Sequence, residues 1–420
     1  MAARRRPEGT YDVAIVGGAL AGCVAAMRFA AHGISVALVE KKRNEDDYKT
    51  LCTHFIQPIA FALLSRLGLD RLIEAAGGLR TKAAFWTECG WIDPPGEAYA
   101  AGECRFAYNI ERRILDPLLR RRVALAPGVE RLLGHRALGL ERRGGLQELE
   151  LEDADGRRRT LRARLVVAAD GRNSTIARIL ANDAASSDNH RAAFFAYFTR
   201  IAPTPANRSL FMLYRDEMGF LYPLCEGRTL LSVYVKKERA LEWRAAGDKA
   251  SLLGSFLREF PCMPDIAQAE PVSAVYGYAD YPNWSRAPVH QGVAFVGDAA
   301  LSLDPMSGVG CAFAAVGADA LVECTHRGLL DDGELDGPLE AYGRAHKERL
   351  EPHAEGIRAD SLIGKSPESV RRIYENIVSH AALREAFIAL TGRLIAPREF
   401  QKQYLGALTQ KARNATVAAA

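Results

Sequence analysis

The chain has 420 residues, of which 48% are hydrophobic and 25% charged, so it can bury a large core in two or three domains. Its formal charge of +4, from 55 basic and 51 acidic residues, is too balanced to indicate a nucleic-acid partner. No apolar run reaches about 18 residues, so we expect no membrane-spanning helix. The eight cysteines are scattered without metal-ligand spacing, which predicts free thiols in a reducing cytoplasm and no bound metal.

The first informative unit is "YDVAIVGGALAGCVAAMRFAAHGISVALVEKK", where two apolar runs predict buried parallel strands and the spacing between them predicts a helix ending at Gly33. The turn before that helix reads G-x-G-x-x-G, except that Ala19 replaces the second glycine, and Glu40 follows. Such a turn at a helix N-terminus binds pyrophosphate, and the carboxylate binds ribose, so the pattern predicts an adenine dinucleotide. The predicted contacts are Gly17, Gly18, Ala19, Leu20, Ala21, Gly22, Glu40 and Lys41.

Two more strand-to-helix segments follow. "LVVAADGRNSTIARIL" places Asp170 directly after an apolar run, and "VGDAALSLDPMSGVGCAF" places Asp298 after another. In the second segment, a proline and two glycines lead into a helix that begins without charged residues. Bare backbone amides at a helix start indicate a site for an anionic ligand.

The three motifs, in this order, resemble those of the class A flavoprotein monooxygenases of the para-hydroxybenzoate hydroxylase type, over most of residues 10–330. The resemblance implies FAD as the cofactor, with Glu40 at the adenosine ribose and Asp298 at the ribityl hydroxyls. It also implies that Asp170 lies near the pyrophosphate. The residues implied at the flavin ring are Pro305, Gly308, Val309 and Gly310.

Two other segments lie near the cofactor by the same resemblance. "YNIERRILDPLLRRRVA" resembles the family's R-x-x-L-D-x-x-L helix, which implies a cofactor contact for Arg112, whereas Arg120 and its neighbouring arginines are expected at the surface. "LCTHFIQPIAFALLSRLGL" falls where the family has a loop beside the flavin. His54 and Gln57 are therefore candidate catalytic residues, as is Pro305, although a capping or core role for His54 is equally compatible with its position.

The implied fold is α/β, with a Rossmann-like FAD-binding domain interleaved with an antiparallel β-sheet substrate domain and followed by C-terminal helices. The aromatic runs "AFFAYFTRI", "RSLFMLY", "GFLYPL" and "TLLSVYVKK" predict strands of that sheet. The expected bounds are 1–80, 105–188 and 281–334 for the FAD-binding domain, 81–104 and 189–280 for the sheet domain, and 335–420 for the helices. Residues 366–392 read as one helix. The predicted substrate pocket is lined by Phe194, Tyr197, Phe211, Phe220 and Tyr222.

The implied activity is monooxygenation. FAD reduced by NADH or NADPH, or reduced flavin from a partner reductase, would react with molecular oxygen to give a C4a-hydroperoxyflavin that hydroxylates or epoxidises the substrate. We expect an aromatic or polyketide-like small molecule and a role in secondary metabolism.

Other functional interpretations are compatible with the same cofactor motifs. A flavin-dependent halogenase would use Lys82 of "GLRTKAAFW" as its catalytic lysine, but "MGFLYP" departs from the halogenase pattern W-x-W-x-I-P. A geranylgeranyl-reductase-type enzyme would carry a Pro-Cys-Gly element, for which "LCTHF" is a poor match. A non-catalytic flavin-binding protein is the remaining alternative. Yellow colour together with NAD(P)H oxidation and oxygen uptake would distinguish an enzyme from it.

Overall fold

The computed structural model describes residues 7, 9–93, 106–204, 207–214, 216–245, 248–260 and 262–419, except the side chains of 244 and 411–419. Strands and helices alternate in the first half of the chain, strands dominate the middle, and helices form the end. This order confirms the α/β class expected from the sequence. Residues 1–6 and 94–104 of the expected domains, including Cys104, lie outside the described residues, and the domain bounds themselves stay a prediction.

The strands, in chain order, are β1 (Thr10–Val16), β2 (Val36–Glu40), β3 (Phe55–Ile56), β4 (Leu79–Thr81), β5 (Ala83–Thr87), β6 (Gly90–Trp91), β7 (Ala107–Asn109), β8 (Val129–Leu133), β9 (Arg136–Arg143), β10 (Leu146–Glu152), β11 (Arg158–Ala168), β12 (Ala185–Ser187), β13 (Arg191–Thr199), β14 (Ser209–Tyr214), β15 (Glu217–Pro223), β16 (Thr229–Lys236), β17 (Glu270–Pro271), β18 (Tyr276–Tyr278), β19 (Asn283–Ser285), β20 (Val289–His290), β21 (Val293–Phe295) and β22 (Leu301–Ser302).

The helices are α1 (Leu20–Ala31), α2 (Phe61–Arg66), α3 (Leu69–Ala75), α4 (Arg112–Ala124), α5 (Thr175–Ile179), α6 (Lys237–Ala245), α7 (Lys249–Arg258), α8 (Gly310–Leu330), α9 (Asp336–Ser361), α10 (Pro367–Ser379), α11 (Ala381–Thr391) and α12 (Pro397–Ala419). Short 3₁₀ turns cover Pro58–Ala60, Gly297–Ala299 and Pro305–Ser307. No helix among the described residues is long and apolar enough to cross a membrane.

The first sheet has the strand order β20-β21-β11-β1-β2-β8, with β10 and β9 attached to β11. Strands β21, β11, β1, β2 and β8 are parallel to one another. Strand β2 is buried along its whole length because both faces of a parallel sheet are covered. Helices α1, α4 and α8 contribute to the core on one face, and α5 contributes to the core on the other.

The second sheet has the strand order β17-β13-β16-β15-β14-β5-β6, with β18 paired to β13. The four aromatic runs noted in the sequence form β13, β14, β15 and β16, and these strands pair antiparallel, as expected. Strand β5 instead runs parallel to β14. A parallel partner cannot be joined by a tight hairpin, and β5 enters this sheet from a distant part of the chain.

The C-terminal helices cover one face of the second sheet. Residues of α10, α11 and α12 pack against aromatic residues of β13, β14 and β15. The single helix expected over residues 366–392 is broken at His380, whose backbone is extended. The side chains of Ser379 and His380 both bond the backbone oxygen of Asn376 and so compete with continued helical bonding there. The break divides α10 from α11.

Candidate functional site

The turn between β1 and α1 packs tightly against neighbouring backbone. A Cβ on Gly17, where φ is +112°, would lie 2.3 Å from the carbonyl oxygen of Ala169, and a Cβ on Gly22 would lie 1.8 Å from that of Gly17. Any side chain at either glycine therefore displaces backbone. Helix α1 begins after Ala19 with no side-chain cap and no acidic residue in its first turn. Its first N–H groups can therefore bind an anionic ligand.

Glu40 ends β2 next to this turn. Its carboxylate accepts hydrogen bonds from the backbone N–H of Gly18 at 2.7 Å and of Lys42 at 2.9 Å. Each oxygen keeps a further lone pair, so hydroxyl groups can also donate to it. This geometry suits the expected ribose contact.

Arg120 was expected at the surface, and the structure shows that this is wrong. Its guanidinium is buried and donates to the backbone oxygens of Gly18 at 3.3 Å and of Glu45 at 2.8 Å. It shares a face of α4 with Asp116 and Arg112, four and eight residues earlier. Arg120 thus ties α4 to the glycine turn, a role that its place within a run of arginines concealed.

Asp170 follows β11 and lies beside the glycine turn, where its backbone nitrogen would be 2.9 Å from a Cβ on Gly17. One carboxylate oxygen accepts from the backbone N–H of Thr175 at 2.6 Å and of Ile176 at 3.2 Å, at the start of α5. The other oxygen is buried and has no protein partner. Burial raises the pKa of Asp170. Asp170 therefore holds the loop between β11 and α5 in place and leaves one oxygen for a ligand.

Asp298 lies in the short turn after β21, and its partner is a residue that sequence reasoning missed. Lys49 Nζ lies 2.9 Å from Asp298 Oδ2, and this carboxylate raises the pKa of Lys49. A lysine in an acidic, exposed loop gave no sequence signal for this pairing. Lys49 also brings its backbone N–H within 3.0 Å of Asp116 Oδ2.

The loop between β22 and α8 contains the other residues expected at the cofactor. Asp304 accepts from the N–H of Met306 at 3.1 Å and pairs with the buried Arg191 at 3.0 Å, which holds the turn at Pro305 rigid. Gly308 has a φ of +63°, which favours glycine, and a Cβ there would lie 3.2 Å from Gln57 Nε2. Gln57 donates to the backbone oxygen of Ser307 at 3.2 Å.

Helix α8 begins at Gly310, directly after Val309, again with no side-chain cap and no acidic residue in its first turn. The site thus has two helix starts of this kind, each with a carboxylate nearby: Glu40 at the first and Asp298 at the second. Backbone donors for phosphates and for an anionic ring edge, with acceptors for two sets of hydroxyls, are the groups that FAD requires. The residues present fit that cofactor.

His54 has a positive φ of 66°, uncommon for a residue with a side chain, and is buried. Its Nδ1 accepts from the backbone N–H of Arg112 at 3.1 Å, which leaves the proton of a neutral ring on Nε2. Nε2 contacts the hydroxyl of Tyr197. The structure therefore joins two residues predicted separately, one as catalytic and one as a pocket residue.

Arg112 connects this pair to the start of α8. Its Nε lies 2.7 Å from Asp116 Oδ1 and its Nη1 lies 3.8 Å from the sulfur of Cys311. The neighbouring thiol of Cys311 lowers the pKa of Cys52 well below its ordinary value, with His54 and Arg112 adding to the effect. His54 lies in the same loop as Cys52, whereas Arg112 and Cys311 come from distant segments of the chain.

A cavity of about 540 Å³ lies between the second sheet and the C-terminal helices. Phe55, Phe85 and Phe211 line it from the sheet side, and Gln57 and Met306 line it near the loop before α8. The opposite wall comes from α9 to α12 and includes Ile357, Ile373, Tyr374, Ile377, Phe387, Ile388 and Phe400. The apolar spacing of Ile373, Tyr374 and Ile377 along α10 was the available signal for this wall.

The structure divides the five predicted pocket residues between the two faces of the second sheet. Phe211 lines the cavity, and Tyr197, Phe220 and Tyr222 belong to the aromatic cluster on the same face of the sheet. Phe194 lies on the other face, where it stacks on Trp243 with 5.3 Å between the ring centroids. Alternate residues of a strand face opposite sides, so its neighbour Phe195 joins the aromatic cluster instead.

Comparison with known proteins agrees with this geometry. The family model described as "FAD binding domain" matches residues 10–323. The 3-demethoxyubiquinol 3-hydroxylase of Escherichia coli is 24% identical over 74% of this chain and 78% of its own length. Digeranylgeranylglycerophospholipid reductase 2 of Methanopyrus kandleri is 25% identical over 71% of this chain and 73% of its own.

A solved flavin-dependent brominase shares the fold, with a TM-score of 0.77 and 18% identity, covering 96% of this chain and all of that chain. With the two helix starts and their carboxylates, these matches define the class of protein. The chain belongs to the FAD-binding domain family that includes the class A FAD-dependent monooxygenases, and it is an FAD-dependent oxidoreductase.

Proposed function

We propose that the protein is an FAD-dependent monooxygenase that hydroxylates or epoxidises an aromatic or polyketide-like small molecule in secondary metabolism. The observation that carries this proposal is the apolar cavity, which ends at the loop expected to hold the flavin ring. Aromatic side chains on one wall, and both aliphatic and aromatic ones on the other, suit a flat or elongated apolar substrate. The seven described cysteines are free thiols, which suits the reducing cytoplasm in which we place the reaction.

The chain's own residues have defined tasks in this reaction. Bound FAD supplies the activation of molecular oxygen, after reduction by NADH or NADPH. Glu40 and Asp298 bind hydroxyl groups of the cofactor, and the starts of α1 and α8 donate N–H groups to its charged parts. Phe55, Phe85 and Phe211 exclude water and orient the substrate ring. The buried pair of Arg191 and Asp304 keeps the loop at Pro305 in place between cavity and cofactor.

The test is turnover by the purified, FAD-loaded protein. We expect NADH or NADPH oxidation with oxygen uptake, stimulated by members of a panel of phenolic and polyketide substrates, and products 16 mass units heavier by mass spectrometry, the mass of one oxygen atom. Turnover only with added reduced flavin would show that a partner reductase supplies the electrons. A flavin-containing protein that stays inert under both conditions would contradict the proposal.

A second candidate function is halogenation, and one observation favours it. Lys82, the residue that a halogenase would use, lines the same cavity as Gln57 and Met306. We propose to run the product panel with chloride and with bromide, and to compare Lys82→Ala with Lys365→Ala, which removes another lysine of the cavity wall. Halogenated products lost only in Lys82→Ala would establish the second function. Oxygenated products retained in both variants would establish the first.

A further inference from the structure

Arg393 lies in the turn between α11 and α12 and lines the cavity beside Pro58 and Ser307. Its Nη2 donates to the backbone oxygen of Ser307 at 3.1 Å, on the loop that leads to α8. Its φ of +62° is the left-handed backbone of a helix end, since the N–H groups of Arg393 and Leu394 donate to the backbone oxygens of Leu390 at 3.0 Å and Ala389 at 2.8 Å.

Among the described residues, no carboxylate forms an ion pair with the guanidinium of Arg393, and its Nε is buried without an acceptor. Asp360, the carboxylate whose charge acts on it, is held by Arg191 at 3.2 Å and by Lys365 at 3.2 Å. Burial lowers the pKa of Arg393 to about 10, so the group remains a cation at neutral pH. A desolvated cation of this kind requires an anionic partner.

His353, on α9, lines the same cavity and is buried. Its Nδ1 also has no protein partner. Burial, with a smaller contribution from the charge of Arg393, lowers the pKa of His353 to about 4. The imidazole is therefore neutral at pH 7 and can carry its proton on Nδ1 as a hydrogen-bond donor. Arg393 and His353 thus each present to the cavity a buried polar atom that no described residue satisfies.

We propose that Arg393 and His353 bind the carboxylate of an acidic substrate whose apolar body fills the rest of the cavity. This inference rests on the proposed function and names the substrate class of the same site. A carboxylate matches a guanidinium because both are planar and can form parallel hydrogen bonds, and the imidazole N–H offers one further donor. Ile357, Phe387 and Ile388 provide apolar wall for the remainder of the ligand. A neutral substrate would leave the Arg393 cation unpaired.

The test measures binding of matched acids and amides to the FAD-loaded protein by calorimetry. The probes are 4-hydroxybenzoate with 4-hydroxybenzamide, 3-phenylpropionate with 3-phenylpropionamide, and decanoate with decanamide. We expect at least one acid to bind about 10-fold more tightly than its amide, and Arg393→Met to abolish that preference. Arg384→Met is the matched control, because Arg384 also donates to a backbone oxygen, at 2.6 Å from that of Val378.

If Arg393→Met does not fold, Arg393→Lys provides the test. The lysine keeps the positive charge but lacks the planar pair of donors. We expect it to weaken acid binding about 10-fold with little effect on amides. Absence of binding by every acid, equal binding of acids and amides, or a preference that survives in Arg393→Met would overturn the inference. Oxygenation of neutral substrates alone would leave the monooxygenase proposal intact, whereas acid binding without oxygen uptake would count against that proposal and not against this one.

Discussion

The two ends of the site are built in different ways. At the glycine turn, the groups that would contact the cofactor phosphates are backbone N–H groups within one stretch of six residues, 17–22, and their geometry depends on the missing side chains of Gly17 and Gly22. The cavity is lined instead by side chains from the second sheet, the loop before α8 and four C-terminal helices. The glycine turn therefore tolerates few substitutions. At the cavity, many different single substitutions can alter which ligand binds.

The largest effect is expected at the first end. Gly22→Ala places a Cβ 1.8 Å from the backbone oxygen of Gly17, so the turn must open. We expect a loss of about 3 kcal/mol in the free energy of unfolding and a protein purified without FAD, measured by urea denaturation and by flavin absorbance. The control is Gly254→Ala in α7, where the nearest atom would lie at an ordinary 3.7 Å. Gly254→Ala should raise the free energy of unfolding by about 0.5–1 kcal/mol. Full FAD content in Gly22→Ala would show that the turn does not form the phosphate site.

The next effect concerns the carboxylate at the second helix start. Asp298→Ala removes the carboxylate proposed to accept from the cofactor hydroxyls and removes the ion-pair partner of Lys49 at 2.9 Å. We expect FAD affinity to fall about 10- to 100-fold, in line with the loss of charged hydrogen bonds, as measured by quenching of flavin fluorescence. Asp331→Ala, which changes a carboxylate just beyond the opposite end of α8, should bind FAD like the unmodified protein. Equal affinity in the two variants would remove Asp298 from the cofactor site.

The two faces of the second sheet offer a direct comparison. Phe211 lines the cavity and Phe194 stacks on Trp243 behind it, and both are buried. Each change to alanine should cost about 3–5 kcal/mol of unfolding free energy. Only Phe211→Ala should also raise KM for the substrate, by about 10-fold, the equivalent of about 1.4 kcal/mol of lost contact. Steady-state kinetics on both variants test this. An equal rise in KM for Phe194→Ala would contradict the assignment of faces.

The smallest effect is a dependence of stability on pH. His346 of α9 is buried against α8, and burial lowers its pKa to about 4, whereas in the unfolded chain it takes a proton near pH 6.5. The unfolded state therefore binds more protons as the pH falls from 6.5 towards 4, and stability is lost over that window. Between pH 6.5 and 5, we expect the free energy of unfolding of His346→Gln to fall by about 1.5 kcal/mol less than that of the unmodified protein.

Urea denaturation at several pH values measures this difference. The control is His190→Gln, which changes an exposed histidine. Its stability should follow the pH dependence of the unmodified protein. The same dependence in His346→Gln would show that other groups cause the acid destabilisation.

Short sequence patterns were sufficient to predict features that depend on a few adjacent residues. The helix expected to end at Gly33 does so, since α1 ends at Ala31 and Gly33 has the left-handed backbone of a helix end. The β-α-β unit and the start of α8 were confirmed for the same reason, because apolar periodicity and glycine position act within a few residues. The sequence did not separate Phe194 from Phe211, because membership in a strand does not reveal which face of the sheet borders the cavity.

Errors and omissions arose where segments far apart in the chain meet. Arg120 looked like a surface charge because the backbone oxygens that satisfy it belong to other parts of the chain. Lys49 and Cys311 became relevant only when the fold placed them beside Asp298 and Cys52. Arg393 and His353 carried no motif at all, and their unpaired buried atoms are visible only in the packed cavity.

The sequence by itself determined the dinucleotide turn, the two helix starts that can bind an anionic ligand, and the order of strands and helices. These depend on backbone geometry and on periodicities of a few residues, which adjacent amino acids encode directly. Only the tertiary structure decided which aromatic residues line the cavity, that the C-terminal helices form its second wall, and that Arg393 lies in that wall without an ion pair among the described residues. Burial and charge pairing depend on contacts between distant segments, and no short stretch of sequence contains them.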